Sequence, residues 1–339
     1  MDETTVLVTG GTGFIGGWCI AELLARGHHV RTTVRSAGAE ARVRAAVGCD
    51  DDRLTVAVAD LSADPGWAEA TDGVDGVLHV ASPMTADDPG AQVAAARDGA
   101  VRVVRAAAEA GVRRVVMTSA ANTASPSSYE DEGVTDETLW TDPDDPTLIP
   151  YRRSKTVAER AAWDTIAGHD GPTTLATVLP GAVFGPLLAA DQQGSVQIVR
   201  RMLAGEMPGT PRIGLEVVDV RDLVDLHLRA LAAPEAAGER FLGTGELLWM
   251  GDIARILREG LGEAAARVPT DDIPDEVIRA FAEHDPELAS IVPGLGRRNR
   301  HSPAKAERVL GWTRRPAAET ILDCARSLLG HGAVPGAGA

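Results

Sequence analysis

Through the first half of the chain, short runs of β-branched and aliphatic residues alternate with alanine-rich stretches whose apolar positions recur at helical spacing. The pattern predicts strands over residues 4–9 (TTVLVT), 29–34 (HVRTTV), 54–59 (LTVAVA), 76–81 (GVLHVA), 114–119 (RVVMTS) and 174–179 (TLATVL). Helices are expected over about 14–26, 91–110 and 151–167. Strands alternating with helices give a parallel sheet with crossover connections, and strands apolar almost throughout fit a sheet covered on both faces. The fold class is therefore α/β, doubly wound. Past residue 180 the rhythm breaks into shorter helices and Pro/Gly turns (GEMPGTPRIG, IVPGLGRRNR), with one return strand at 239–244 (ERFLGT). We read residues 1–180 with 214–245 as the larger part, 181–213 with 246–330 as a smaller lobe, and 331–339 as a flexible tail.

Composition narrows the partners. With 339 residues and 44% apolar side chains the chain can bury a large core, and a formal charge of −16 disfavours nucleic acid and anionic membrane. The three cysteines, Cys19, Cys49 and Cys324, are widely spaced with no CxxC pair. Neither a disulfide framework nor a zinc site is implied, and a reduced, cytoplasmic setting is expected. The chain opens straight into a strand, with no secretory signal pattern and no apolar run of membrane-spanning length. His79 and His227, lacking metal-ligand spacing, read as structural residues, and no metal is expected.

The stretch VTGGTGFIGGW, residues 8–18, holds five glycines among eleven residues between the first strand and the first helix. Gly10, Gly13 and Gly16 have the spacing of a dinucleotide-binding turn: Gly10 for the tight turn, Gly13 for close backbone approach to a pyrophosphate, Gly16 for helix–strand packing. The helix N-terminus then offers free N–H groups and a positive dipole end to phosphates. A phosphate-binding loop of the Walker type is excluded because Gly17, not Lys, follows Gly16. The second strand ends in TTVRS, where NAD-binding proteins commonly carry an acidic residue. Arg35 there, with Arg42 seven residues on, suits a 2′-phosphate, so NADP(H) is expected over NAD(H).

Tyr151 and Lys155 stand four residues apart at the start of a helix opened by Pro150, on one face. A tyrosine has an ordinary pKa of about 10, and a neighbouring ammonium favours its phenolate. Tyr151 can thus exchange a proton with a carbonyl or alcohol oxygen.

Taken together, VTGGTGFIGGW, VRTTVR, VADL, HVASPM, GVRRVVMTSA, YRRSKTVAERAAW, VLPGAVFGP, VVDVRDLVDLH and KAERVLGW resemble the extended short-chain dehydrogenase/reductases, in the group containing dihydroflavonol 4-reductase, cinnamoyl-CoA reductase and carbonyl (aldehyde) reductases. The resemblance implies a Rossmann domain with a discontinuous C-terminal substrate lobe. It places Phe14 and Ile15 with the glycines at the cofactor, Asp60 and Leu61 beside the adenine, and Ala81, Ser82, Pro83 and Thr118 along the cofactor. Pro180, Gly181 and Val183 would close over the nicotinamide, and Tyr151 and Lys155 would act in both catalysis and cofactor binding.

One family residue is missing. The strand before the catalytic tyrosine usually ends TSS in the family, its second serine bonding the substrate carbonyl; here it ends TSAAN, with Ala120 in that place. Ser119, Asn122 or Thr123 is expected to supply the donor instead, with Ser119 and Thr123 preferred. A long polar segment between Asn122 and Pro150 and the C-terminal lobe should shape the substrate pocket, with Met84, Ser125, Phe184 and Leu187 as lining residues. The expected activity is NADPH-dependent reduction of an aldehyde or ketone. A NAD-dependent nucleotide-sugar epimerase or dehydratase is the alternative, favoured only by the basic run GRRNRH at 296–301; a non-catalytic NADP(H)-binding scaffold or sensor is the other. A homodimer stays open.

Overall fold

The computed structural model describes residues 4–49, 52–83, 88–126 and 133–336. In chain order the strands are β1 Thr5–Val8, β2 His29–Val34, β3 Leu54–Val58, β4 Gly76–His79, β5 Arg114–Thr118, β6 Val134–Thr135, β7 Thr174–Pro180, β8 Ala182–Phe184, β9 Thr210–Pro211, β10 Gly214–Asp219, β11 Arg240–Gly243, β12 Glu246–Trp249, β13 Asp272–Ile273 and β14 Arg300–His301. The helices are α1 Phe14–Ala25, α2 Glu40–Val47, α3 Trp67–Thr71, α4 Pro89–Glu109, α5 Pro150–Ala167, α6 Val196–Ala204, α7 Val220–Ala232, α8 Met250–Leu261, α9 Asp275–Ala282, α10 Pro286–Ile291, α11 Ala304–Leu310 and α12 Ala317–Gly330.

Seven parallel strands form the main sheet in the order β11-β7-β5-β4-β1-β2-β3. The chain winds outward from β1 to β3, then returns to lay β4 on the other side of β1. This reversal opens a crevice at the carboxyl ends of β1 and β4, where doubly wound sheets bind ligands. Side chains alternate between the two faces as the pleat requires: Val6, Val8, Leu78 and Val116 pack with Ile20 and Leu23 of α1 and Leu223 of α7, whereas Leu7, Val77, Val115 and Met117 pack with Trp67 of α3, Val103 of α4 and Ala162 of α5. The uninterrupted apolar strands of the sequence are the product of this double cover.

A second sheet, β12-β10-β8, has β10 parallel to β8 and antiparallel to β12. Phe184, Val199, Met202, Ile253, Leu257, Ile321 and Leu328 form its core with α6, α8 and α12. Residues 214–219 depart from the division read in the sequence: β10 is the centre of this smaller sheet, not part of the large one. The tail reading also needs correction over 331–336. Val334 is 3% exposed, the His331 ring lies 3.0 Å from the Leu187 carbonyl through Nε2, and Arg267 donates to the Pro335 carbonyl at 2.8 Å. Residues 337–339 lie outside the described residues.

Two buried histidines pin the strand ends. Thr9 Oγ1 accepts the N–H groups of Val80 and Ala81, both at 3.0 Å, so its own hydrogen goes to His79 Nδ1 at 2.9 Å. Thr118 Oγ1 lies 2.7 Å from His227 Nε2, and Nδ1 of that ring lies 2.8 Å from the Leu223 carbonyl. Nδ1 therefore donates to the carbonyl, and Nε2 accepts from Thr118. Burial pushes His79 down to about 3, with the Lys155 charge adding to it, and His227 down to about 4. Both rings are neutral when folded and protonate at about 6.5 when unfolded. The unfolded chain thus binds more protons below pH 6.5, and stability falls as pH drops from 6.5 toward 4, by up to about 1.4 kcal/mol per pH unit for each ring. Urea denaturation between pH 7 and 4.5 should give a shallower fall for His227→Gln than for the parent protein.

Candidate active site

The first βα turn is shaped by contacts that exclude side chains. Gly10 has φ +75°, and a Cβ there would meet Ala81 at 3.1 Å; a Cβ on Gly16 would sit 2.3 Å from the Gly10 carbonyl oxygen. Gly13 caps α1 without a side-chain bond, and the first turn of α1 carries no acidic residue. The helix end is left open to an anion. Gly11, which the sequence reading passed over, is equally constrained, since a Cβ there would fall 2.3 Å from Thr32 Oγ1. Phe14 is 9% exposed and Ile15 is partly buried, both packed into the core beneath the turn.

At the end of β2, Arg35 is exposed. Asp60 sits close enough to feel its charge, though the N–H and hydroxyl of Ser62 do most to hold that carboxyl below the usual range. Arg42, on α2, is paired with Asp191 at 2.6 Å. Leu61 packs against the core on the α3–α5 side of the sheet, and Ala81, Ser82 and Pro83 are half-buried just past β4. Met84 lies outside the described residues. Thr118 lies at the end of β5, but its hydroxyl is committed to His227. Pro180 ends β7, and the chain passes so close to β10 that a Cβ on Gly181 would lie 2.3 Å from the Glu216 carbonyl oxygen. Val183 is partly buried between the two cores.

Pro150 opens α5 and puts Tyr151 and Lys155 on successive turns of one face. Tyr151 is 39% exposed, and the protein packed around its phenol raises the pKa above the ordinary tyrosine value. Lys155 is 9% exposed; burial lowers its pKa to about 8, and the charge of Glu159 opposes that fall.

Glu159, one further turn along α5, has no exposed surface. Its carboxylate accepts the hydroxyls of Ser119 at 2.6 Å, Thr123 at 2.6 Å and Thr177 at 2.8 Å, and Arg240 Nε donates to it at 2.9 Å. Arg240 Nη1 donates to the carbonyls of Glu137 and Leu139, Nη2 donates to Thr123 Oγ1 at 3.0 Å and to its carbonyl, and the guanidinium stacks 3.6 Å from the centre of the Trp140 ring. This corrects the expectation for Ser119 and Thr123. A hydroxyl has one hydrogen, and these are turned into the protein: Ser119 gives its own to Glu159, and Thr123 divides its own between Glu159 and the Ala120 carbonyl. Neither is left to donate to a substrate. Asn122 is the candidate whose side chain makes no hydrogen bond among the described residues, and it is partly exposed. Glu159 itself escaped the sequence reading, although it follows Lys155 by the same four residues that separate Lys155 from Tyr151.

Three of the expected lining residues are placed differently. Phe184 is 0% and Leu187 4% exposed, and both belong to the core of the smaller lobe. Ser125 is also buried, its Oγ 2.8 Å from His301 Nε2. His301 in turn donates its backbone N–H to Glu216 Oε1 at 2.7 Å and pairs through Nδ1 with Oε2 of the same carboxylate. The basic run at 296–301 therefore turns its histidine inward. Arg297 donates to the Pro126 carbonyl at 3.3 Å, and Arg298 lies over the Trp249 ring.

A doubly wound parallel sheet, a glycine turn at its reversal point and a Tyr–Lys pair beside it together define a nucleotide-dependent α/β protein of the Rossmann class. Residues 6–242 match the model of the NAD dependent epimerase/dehydratase family. The chain is 35% identical over 291 residues to cinnamoyl-CoA reductase 1 of Petunia hybrida, covering 84% of this chain and 86% of that one. It is 32% identical over 285 residues to dihydroflavonol 4-reductase of Zea mays, covering 80% and 77%. Among solved structures, yeast methylglyoxal/isovaleraldehyde reductase Gre2 complexed with NADPH superimposes with a TM-score of 0.80 at 23% identity, over 97% of this chain and 99% of that one. The chain belongs to the NAD dependent epimerase/dehydratase family, within the extended short-chain dehydrogenase/reductases.

The Glu159 network gives a direct expectation. Removing the hydroxyl that Ser119 or Thr123 gives Glu159 leaves a buried carboxylate oxygen short of a donor, so Ser119→Ala and Thr123→Val should each destabilise the fold by about 1–3 kcal/mol in urea denaturation.

Proposed function

We propose that this protein reduces an aldehyde or ketone at the expense of NADPH, with Tyr151 as the proton donor. The observation that carries the reading is the placement of Tyr151 and Lys155 on one face of α5, in a fold whose glycine turn leaves the N-terminus of α1 open to a pyrophosphate. Relatives named as reductases of cinnamoyl-CoA and of dihydroflavonols, and a neighbour complexed with NADPH, support it. Arg35 and Arg42, with no acidic residue at the end of β2, favour the phosphorylated dinucleotide over NAD.

The glycine turn and the first turn of α1 would hold the pyrophosphate, Arg35 and Arg42 the 2′-phosphate, and Lys155 the ribose hydroxyls next to the nicotinamide. When bound, the reduced nicotinamide supplies the hydride. Tyr151, whose phenol is protonated at neutral pH as an ordinary tyrosine is, gives its phenolic proton to the carbonyl oxygen. Lys155 then stabilises the phenolate, and Glu159 behind it helps keep that ammonium charged. With Ser119 and Thr123 bonded to Glu159 and Ala120 carrying no donor, we assign the remaining hydrogen bond to the developing oxyanion to the Asn122 side chain. The polar segment before Pro150 and the smaller lobe, divided from the nucleotide-binding part near residues 180 and 245, would bound the substrate.

The reading is tested by following NADPH consumption, with NADH in parallel, across aromatic aldehydes, α-dicarbonyls, β-keto esters and a dihydroflavonol. Tyr151→Phe should lower kcat on the best substrate by on the order of 100-fold or more while leaving the dissociation constant for NADPH within about threefold. Ala120→Ser, which returns a hydroxyl to the place where the family carries one, should raise kcat. NADPH binding without turnover on any of these carbonyls would move the assignment to a non-catalytic role.

A further inference from the structure

Arg42, expected at a 2′-phosphate, already has an anion. Its Nη2 lies 2.6 Å from Oδ2 of Asp191, and the two side chains are 54% and 57% exposed. The partners belong to different parts of the molecule: Arg42 is on α2 behind the nucleotide-binding edge of the sheet, whereas Asp191 is on the segment joining β8 to α6 in the smaller lobe.

That segment is firmly held at its start. Trp18 of α1 donates through Nε1 to the Pro186 carbonyl at 2.8 Å, Leu187 N–H donates to Ser327 Oγ at 2.8 Å, and the Leu188 side chain lies 3.3 Å from where a Cβ on Gly17 would stand. From this anchor beside the glycine turn the chain runs to Asp191, which meets Arg42. The segment therefore extends from the pyrophosphate end of the nucleotide site to the end where a 2′-phosphate would sit. Beyond Leu188 its side-chain bonds are local, Gln193 to the Asp191 carbonyl and Gln197 to the Gln192 carbonyl, apart from the Arg42 pair.

We propose that Asp191 is a cofactor-specificity residue: its carboxylate pairs with Arg42 where the 2′-phosphate of NADP(H) would stand, so the phosphate and the carboxylate compete for one guanidinium and binding the phosphate releases the segment around Asp191. The inference rests on the reading of Arg42 as a phosphate ligand. A phosphate carries nearly twice the charge of a carboxylate and offers three acceptor oxygens, so the exchange runs in its favour. Asp191 opposes it in two ways, as a competitor for the guanidinium and as a like charge left nearby. NAD(H), without that phosphate, leaves the Arg42–Asp191 pair intact. Asp191 therefore selectively weakens the phosphorylated cofactor and ties its binding to the position of a segment of the other lobe.

The test is calorimetric titration of NADP⁺ and NAD⁺ into the full chain and into Asp191→Asn, Arg42→Ala and the double variant, at low and high salt. Asp191→Asn should tighten NADP⁺ by about two- to fivefold, the range set by an exposed ion pair, and leave NAD⁺ unchanged. The gain should shrink at high salt and disappear in the Arg42→Ala background. An Asp191→Asn protein that binds NADP⁺ no tighter than the parent, or that shifts NADP⁺ and NAD⁺ equally, overturns the proposal while leaving the phosphate reading of Arg42 standing. If Arg42→Ala weakens NADP⁺ no more than NAD⁺, the phosphate reading itself fails, and the proposal with it.

Discussion

A single buried carboxylate organises the candidate active site. Transferring an ionised group from water into a protein interior costs several kcal/mol even after relaxation, and Glu159 meets that cost with three hydroxyls and a guanidinium drawn from four separate elements. Because Ser119 follows β5, Thr123 lies in the turn after it, Thr177 is midway along β7 and Arg240 opens β11, satisfying one anion fixes α5 against three neighbouring strands of the sheet. Tyr151 and Lys155 inherit their positions from that docking, being two turns and one turn nearer the start of the same helix. Electrostatics follows from the same arrangement, since the anion sits one turn from a lysine whose charged form burial disfavours, and opposes that effect.

The smaller lobe repeats the device on a lesser scale. Glu216, on β10, holds His301 by backbone and ring, and His301 reaches Ser125 at the end of the turn after β5. Through these three residues the C-terminal segment, the small sheet and the turn behind Ala120 share one hydrogen-bonded chain. Gly181 passes against the backbone of Glu216, so the loop after β7 cannot shift without disturbing that chain.

Much of the frame was legible in the sequence because it is local. The strand at 29–34 and the start of the helix at Phe14 are found where the pattern puts them, and β11 was visible as ERFLGT. These depend on periodicity and on glycines whose carbonyl neighbours lie within a few residues. What the sequence hid is non-local. The hydroxyls of Ser119 and Thr123 looked free because their acceptor, Glu159, comes some 40 residues later and its own partner, Arg240, 81 residues beyond that. Phe184 and Leu187 read as wall or core with equal ease, and only the presence of α6 and α12 over them decides it. A run of arginines masked His301, and the polar helix α2 gave no periodic signal that separated it from the loop after β2.

The position of β11 at one edge of the main sheet, entering 60 residues after β7 is complete, bears on how the protein is made. Up to residue 180 the nascent chain holds six of the seven strands and the whole of α5, yet Glu159 then lacks its cation and β7 is an open edge with unpaired N–H and C=O groups. Non-local pairings of this kind are slow to form, because the loop must close before the contact rewards it. Until Arg240 clears the ribosome, the carboxylate at the centre of the candidate site has its three hydroxyl donors but no guanidinium to balance its charge, and the emerging domain stays unfinished until its last strand arrives.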